Sequence, residues 1–288
     1  MIIGHQRQRD YFKKIVDFKK IPHALIFSGE AKLGKKTVAL EFIKLLFGKD
    51  FESLRQHPDF ILITPIGNEI QIDQIRELIW KLSLKSSLSP LKAAIIDQAH
   101  LMNEAAQNCF LKTLEEPRGD TILILITEYP ELLLSTILSR CQIIKFYPVK
   151  KTEIENYLKN QGIKEEKIEE ITGAAEGKPG MAIDFLLNPQ KLEERIQREK
   201  ELQKLLKSNL SSRFQYAKEI SKEPNLKEIL NIWLSYFRKN LLGQLASKQP
   251  ESLKRLKDIL RKIQNTNFLI STTNINTRLA IDLLMLEL

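Results

Sequence analysis

Ser28-Gly-Glu-Ala-Lys-Leu-Gly-Lys-Lys-Thr37 follows directly on the apolar run Ala24-Leu-Ile-Phe27, and from Gly29 to Lys35 it has the spacing G-x-x-x-x-G-K. Glycines at those two places let a backbone wrap its N–H groups around a phosphate. The helix that follows adds partial positive charge, and the lysine reaches the terminal phosphates. Val38, Leu40, Phe42 and Leu45 supply the amphipathic helix that this reading needs. The next residue should be Ser or Thr, whose hydroxyl holds Mg²⁺, and here it is Lys36. Thr37 comes one residue late, and one residue turns a helical side chain by about 100°, so it does not substitute. The stretch reads as a phosphate-loop scaffold without its metal contact; the ordinary alternative is a strand-to-helix turn that binds nothing.

Four more apolar runs share the character of Ala24–Phe27: Phe60–Ile63, Ala93–Ile96, Ile122–Ile126 and Gln142–Phe146. Near-continuous apolarity without alternation marks strands covered on both faces, hence a mainly parallel sheet with helical crossovers. One such crossover carries Ile75, Leu78, Ile79 and Leu82 at i, i+3, i+4 and i+7, with Asp73 placed to cap it. These five strands predict an α/β domain over residues 1–148. After Tyr147-Pro148 the strand pattern stops. Residues 149–188 read as a small helical module broken by Gly162, Gly173 and Glu176-Gly-Lys-Pro-Gly180. Residues 189–288 read as helix throughout, with Leu226, Ile229, Leu230, Trp233 and Phe237 forming one stripe and Leu256, Ile259, Leu260 and Ile263 another. The Lys191–Lys200 run reads as a solvated helix face.

Composition narrows the class. The 288 residues contain 45 Lys and Arg against 36 Asp and Glu, a net +9, and the pI is about 9.3. The surplus suggests a polyanionic partner, although it is spread over a chain that is 28% charged. Hydrophobic residues make up 43% and glycines number only 11, which excludes disordered, collagenous and turn-rich all-β chains. No apolar stretch approaches the ~18 residues of a membrane span. The opening Met1–Lys14 has no apolar signal region, so a cytoplasmic setting is expected. Cys109 and Cys141 are too few for a structural zinc site and read as small buried hydrophobes.

The third strand closes on Asp97, where a phosphate-loop NTPase places its metal-supporting aspartate. The residue after it is commonly Glu, which activates the attacking water; here it is Gln98. Glutamine holds a water but takes no proton, so this change, independent of Lys36, argues against efficient hydrolysis. His100 reads as a structural histidine rather than a replacement base.

Asn108-Cys-Phe-Leu-Lys-Thr-Leu-Glu-Glu-Pro117, followed some twenty residues later by Ile137-Leu-Ser-Arg-Cys141, resembles the AAA+ clamp-loader family: the bacterial DNA polymerase III tau/gamma and delta-prime subunits with their replication factor C relatives. His57-Pro-Asp59, Ile72–Arg76 and Asn276–Ala280 are similar to the bacterial branch. The resemblance implies an AAA+ five-stranded parallel sheet domain, then a small helical lid and an all-helical C-terminal collar. Lys36 and Gln98 match the delta-prime pattern of losses, and the family's second sensor arginine would fall near Gly180, where none stands; Lys178 reads as an exposed loop lysine or a partial substitute. Gly29, Gly34, Lys35, Thr37 and Asp97 remain as a vestigial nucleotide site. ATP binding without hydrolysis is allowed, no cofactor is required, and the family's zinc module is missing because Leu46–Gln56 has no cysteine.

The resemblance further implies that Arg140 completes the ATP site of an adjacent tau/gamma subunit as an arginine finger; the plain alternative is a surface ion pair with Glu131 or Glu128. Expected partners are tau/gamma, delta and, through the complex, the sliding clamp and primer-template DNA, with no membrane. The rival reading is a catalytically active AAA+ clamp-loader ATPase, tau/gamma-like or replication factor C small-subunit-like.

Overall fold

A computed structural model describes residues 2–18, 20–48, 54, 56–117, 119–244, 250–272 and 275–288. Most of the stretch read for a zinc module, residues 49–53 and 55, lies outside these. The chain divides into two compact units, Met1–Ile183 and Asp184–Leu288, and the helices after Pro148 up to Ile183 belong to the first.

In the first unit, β1 (Ala24–Ser28), β2 (Phe60–Ile63), β3 (Lys92–Ile96), β4 (Thr121–Thr127) and β5 (Gln142–Lys145) form one sheet in the order β2-β3-β4-β1-β5. Every pairing is parallel. The five expected strands are therefore all present, within one or two residues at their ends. Their side chains alternate between two cores. Ala24, Ile26, Ala94, Ile96, Leu123 and Leu125 face α3 (Ile72–Ser83), α4 (Glu104–Glu115) and the short α5 (Ser135–Leu138), burying Ile75, Leu78, Phe110 and Ile137. Leu25, Phe27, Ala93, Ile95, Ile122 and Ile124 face α1 (Gln6–Asp17) and α2 (Lys35–Phe47). There Phe12 stacks on Phe27 and Phe42, with ring centroids 5.3 and 4.5 Å away. Side chains of this size contribute about 1.5–3 kcal/mol each when fully buried, so two apolar faces make the sheet the rigid frame of the unit.

The start of α3 differs from expectation. Gln71 is the cap: its N–H donates to Gln74 Oε1 at 3.0 Å and its carbonyl accepts the Gln74 N–H at 3.1 Å, while Asp73 lies inside the first turn, 3.1 Å from Arg76. The Gln74 side chain reaching back to the cap N–H is one half of a capping box, which leaves Asp73 free to pair one turn on. Both cysteines pack against the α3/α4 core, and burial pushes the Cys141 thiol up to about 12.

The unit ends with α6 (Lys151–Asn160), α7 (Glu165–Ala175) and the start of α8 (Pro179–Leu187). The second unit is helical: α9 (Pro189–Leu206), α10 (Leu210–Ile220), α11 (Leu226–Gln244), α12 (Pro250–Thr272) and α13 (Thr277–Met285). The two apolar stripes read from the sequence meet in its core around Trp233, Leu230 and Ile263. The Lys191–Lys200 run is only partly solvated: Leu192 and Arg195 are buried, and Arg195 donates to Ser235 Oγ at 3.0 Å. The helical period explains this, because 192, 195, 202 and 205 share one face. Among the described residues no helix is long and apolar enough to cross a membrane.

Candidate functional site

In a parallel sheet all strands end along one edge, and ligands gather there. Ser28 of β1 lies beside Thr127 of β4, and β3 ends one step away at Ile96. The loop after β1 and Asp97 after β3 therefore share the carboxyl edge. Gly29 sits at φ +151°, and a Cβ on it would stand 2.5 Å from the Phe146 carbonyl oxygen, so only glycine lets the loop leave β1 in this direction. Leu33 anchors the loop in the α1/α2 core, and its carbonyl meets His5 Nε2 at 2.6 Å. His5 packs edge-on against Phe146 and is buried, which lowers its pKa.

The charged groups of this edge are engaged with one another. Lys35 Nζ donates to the carbonyls of Gly29 and Glu30 at 2.5 and 2.6 Å, closing the loop on itself. Burial lowers the Lys35 pKa, against the opposing pull of Glu128, Asp97 and Glu30. Lys36 Nζ lies 2.9 Å from Asp97 Oδ2. The lysine at the position where the sequence reading expects a hydroxyl thus puts its ammonium on the carboxylate at the end of β3. Thr37 is exposed on α2, one step around the helix from Lys36, and Gln98 is exposed in a left-handed turn (φ 53°) with its N–H on Asp97 Oδ1. His100 Nδ1 is 3.2 Å from Thr127 Oγ1, and the ring stacks edge-on with Tyr129. Those contacts hold the end of β4 against the turn after β3.

The Glu176–Gly180 segment closes over the loop. Gly180 N–H donates to the Lys32 carbonyl at 2.8 Å, and a Cβ on Gly180 would meet that oxygen at 2.9 Å. The position expected to carry an arginine has no room for a side chain unless the backbone shifts. Lys178 is not an exposed loop lysine: its side chain is 18% exposed and pairs with Glu30 Oε2 at 2.6 Å. That contact was not legible in sequence, because Glu30 sits at an unconstrained position of the loop motif.

The opposite edge of the sheet holds Arg140. Gln142, two residues on, pairs with Leu25 at the start of β1, so Arg140 lies at the amino edge, a strand's length from Gly29. Its Nη2 pairs with Glu115 Oε1 at 2.6 Å, and its Nη1 donates to the Thr136 carbonyl at 2.9 Å and Ser139 Oγ at 3.3 Å. The carboxylate partner is Glu115, from the Leu-Glu-Glu-Pro motif, rather than Glu128 or Glu131. The Arg140 side chain remains 35% exposed.

The same edge contains His57, Asp59 and Ser89, residue types that could make a nucleophilic triad, but the bonding is structural. Asp59 accepts backbone N–H bonds from Ser87, Leu88 and Ser89 at 2.8–2.9 Å. His57 Nδ1 accepts from the Asp59 N–H at 3.2 Å, leaving Nε2 to face Ser89 Oγ at 3.1 Å. In that arrangement the imidazole has no free nitrogen with which to take a proton from the hydroxyl. Burial of Asp59 raises its pKa, yet the three N–H donors and His57 outweigh this and the group titrates below its ordinary value.

Fold and loop define the class: an α/β AAA+ domain of the phosphate-loop type with a helical C-terminal region. A gamma-subunit-related protein of DNA polymerase III from Thermotoga maritima shares the fold, with a TM-score of 0.51 and 21% identity over 96% of this chain and 97% of that one. Residues 4–150 match the family model described as DNA polymerase III, delta subunit, and the chain belongs to that family, within the AAA+ clamp-loader group. It is 37% identical over 161 residues to DNA polymerase III subunit delta' of Bacillus subtilis, covering 51% of this chain and 49% of that protein. It is 31% identical over 170 residues to the replication factor C small subunit of Sulfolobus acidocaldarius, covering 58% and 50%. The matched stretch spans about half the length of these relatives.

Proposed function

We propose that this chain is a non-hydrolysing, delta-prime-like subunit of a bacterial clamp loader, assembling with tau/gamma and delta to place the sliding clamp on primed DNA. The observation that carries the non-hydrolysing part is the 2.9 Å Lys36–Asp97 pair. Magnesium needs oxygen ligands in near-ideal octahedral geometry. Here the hydroxyl ligand is gone, and the remaining carboxylate is neutralised by a tethered ammonium. The residues present do not fit a magnesium–nucleotide group, and Gln98 provides no base. Hydrolysis by this chain is not part of its role, and neither bound nucleotide nor zinc is required.

Arg140 has a different use. A guanidinium at the amino edge is separated by the sheet from its own phosphate loop and is suited to a neighbour's. Supplied in trans, it would neutralise charge developing on a γ-phosphate held by an adjacent tau/gamma subunit, an effect worth roughly 10³ to 10⁵ in rate. Glu115 pre-orients it on a rigid helix end. Residues 1–148 form the AAA+ domain in this reading, residues 149–188 its lid, and residues 189–288 the part that joins a collar. The deciding experiment measures ATP turnover by the chain alone and after reconstitution with tau/gamma and delta. Background turnover alone, with DNA-stimulated turnover in the complex that depends on Arg140, is expected. Robust Mg²⁺-dependent turnover by the isolated chain, abolished by Lys35→Ala, would show an active motor subunit instead.

A further inference from the structure

The charge surplus of the chain is unevenly placed. Residues 1–183 hold 26 Lys and Arg against 24 Asp and Glu, a net +2, whereas residues 184–288 hold 19 against 12, a net +7. The phosphate-loop lysines are offset within their own unit, so the excess belongs to the helical one. It is densest on α12, where Lys254-Arg-Leu-Lys-Asp-Ile-Leu-Arg-Lys262 has five basic side chains and one acidic in nine residues.

Helical periodicity sorts these residues. Leu256, Ile259, Leu260 and Ile263 turn into the core of the second unit. At about 100° per residue, Lys254, Lys257 and Arg261 fall in a strip about 60° wide on the opposite side, spread along roughly 10 Å of helix. All three are exposed. Lys254 and Lys257 have no carboxylate partner among the described residues, and Arg261 reaches Asp258 only at 4.0 Å with 76% of its side chain open. Exposed Gln264 and Asn265 extend the strip with amide donors. The flanking cations are committed elsewhere: Arg255 donates to the Leu288 carbonyl at 3.3 Å, and Lys262 pairs with Glu287.

We propose that this strip of α12 binds the phosphate backbone of nucleic acid, a contact made by the helical unit. The inference rests on the reading that the chain works on DNA. A protein partner fits the strip less well, because the buried centre of a protein interface is apolar and every residue here, from Lys254 through Asp258 to Asn265, is polar. Cations stepped at intervals of one helical turn, with amides beside them, match sequence-independent phosphate contact.

The test is fluorescence anisotropy of a labelled primer-template DNA titrated with the full-length chain at several salt concentrations. Three phosphate contacts predict a slope of log K against log salt of about −3. The triple variant Lys254→Glu, Lys257→Glu, Arg261→Glu should weaken binding more than about tenfold at low salt and flatten the slope by about three. A second triple variant, Arg7→Glu, Lys13→Glu, Lys14→Glu on α1, makes the same change in net charge and should bind like the parent. Equal losses in the two triples would reduce the effect to net charge, and unchanged binding in the α12 triple would also overturn the proposal. So would failure of the parent to bind DNA at low salt. Circular dichroism of both triples checks that the helices are intact. The finger reading is tested by ATP turnover and not by this assay, so failure of the finger reading and failure of the α12 reading give different results.

Discussion

The two edges of one parallel sheet have opposite electrostatic designs. At the carboxyl edge, three charged side chains after β1 pair within the chain itself: Lys35 with the loop's carbonyls, Lys36 with Asp97, and Glu30 with Lys178. At the amino edge, Asp59 and His57 stiffen the loop before β3, and Glu115 holds Arg140 with part of its guanidinium still open. The carboxyl edge has the geometry of a nucleotide site but satisfies itself; the amino edge is rigid and presents a cation outward. Substitutions at one edge are therefore expected to leave the other unchanged, since the contacts named at the two edges have no residue in common.

The largest expected effect breaks this comparison at the amino edge. In a reconstituted complex where only the adjoining ATP site is active, Arg140→Ala should lower DNA-stimulated turnover about 10³-fold without changing the melting temperature by more than a degree or two. Unaltered turnover would return Arg140 to the status of a surface ion pair. Next in size is Asp59→Ala. Three backbone donors lose a charged acceptor; such bonds contribute about 1.5–3 kcal/mol each, but water reaches the exposed Ser87 and Leu88 and offsets part of the loss, so a total of about 3 kcal/mol is expected in urea unfolding.

The pH dependence of that stability has a definite sign. Asp59 titrates below its ordinary value of 3.8 in the folded chain. Its contribution is complete above that ordinary value and is lost as pH falls through the lowered folded value. Asp59→Asn should therefore reduce the steepness of acid unfolding as pH falls from the ordinary value through the lowered folded one, which urea midpoints at stepped pH would reveal.

At the carboxyl edge, Lys36→Thr combined with Gln98→Glu should restore a metal seat. Magnesium-dependent binding of a labelled nucleotide, at least about tenfold tighter than in the parent chain, is the expected calorimetric result. Absence of any gain would place the block in the Glu176–Gly180 segment that packs on the loop rather than at Asp97. The smallest effect concerns that segment. Glu30 is 42% exposed, and ion pairs with an open partner are worth about 1 kcal/mol or less. Glu30→Lys should speed hydrogen exchange of the Gly180 amide by no more than about fivefold, and the reciprocal Lys178→Glu on top of it should restore protection.

Much of this was legible in advance for identifiable reasons. The central strands β1, β3 and β4 are covered on both faces and so are apolar at nearly every position, whereas β2 and β5 stand at the sheet's edges, are partly exposed, and are read from shorter or less uniform apolar runs. The loop motif is equally plain because glycine is forced by backbone geometry. Lys36 and Gln98 are informative because they stand where the chemistry requires a different residue. The hidden features are pairings between residues far apart in the chain. Lys178 read as exposed although it faces Glu30, Arg195 read as solvated although it lies under Ser235, and Asp73 read as a cap although Gln71 and Gln74 do that work. A charged side chain looks the same in sequence whether water or a neighbour satisfies it.

The sequence by itself determined the parallel sheet, the loop after β1 and the apolar stripes of α11 and α12, since each depends on residue types at short, regular spacing. Only the tertiary structure decided which charges cancel. It set Lys36 on Asp97 and Glu115 beside Arg140, and it turned one strip of α12 away from its core. Electrostatic pairing depends on distances of a few ångströms between elements that the chain order leaves far apart.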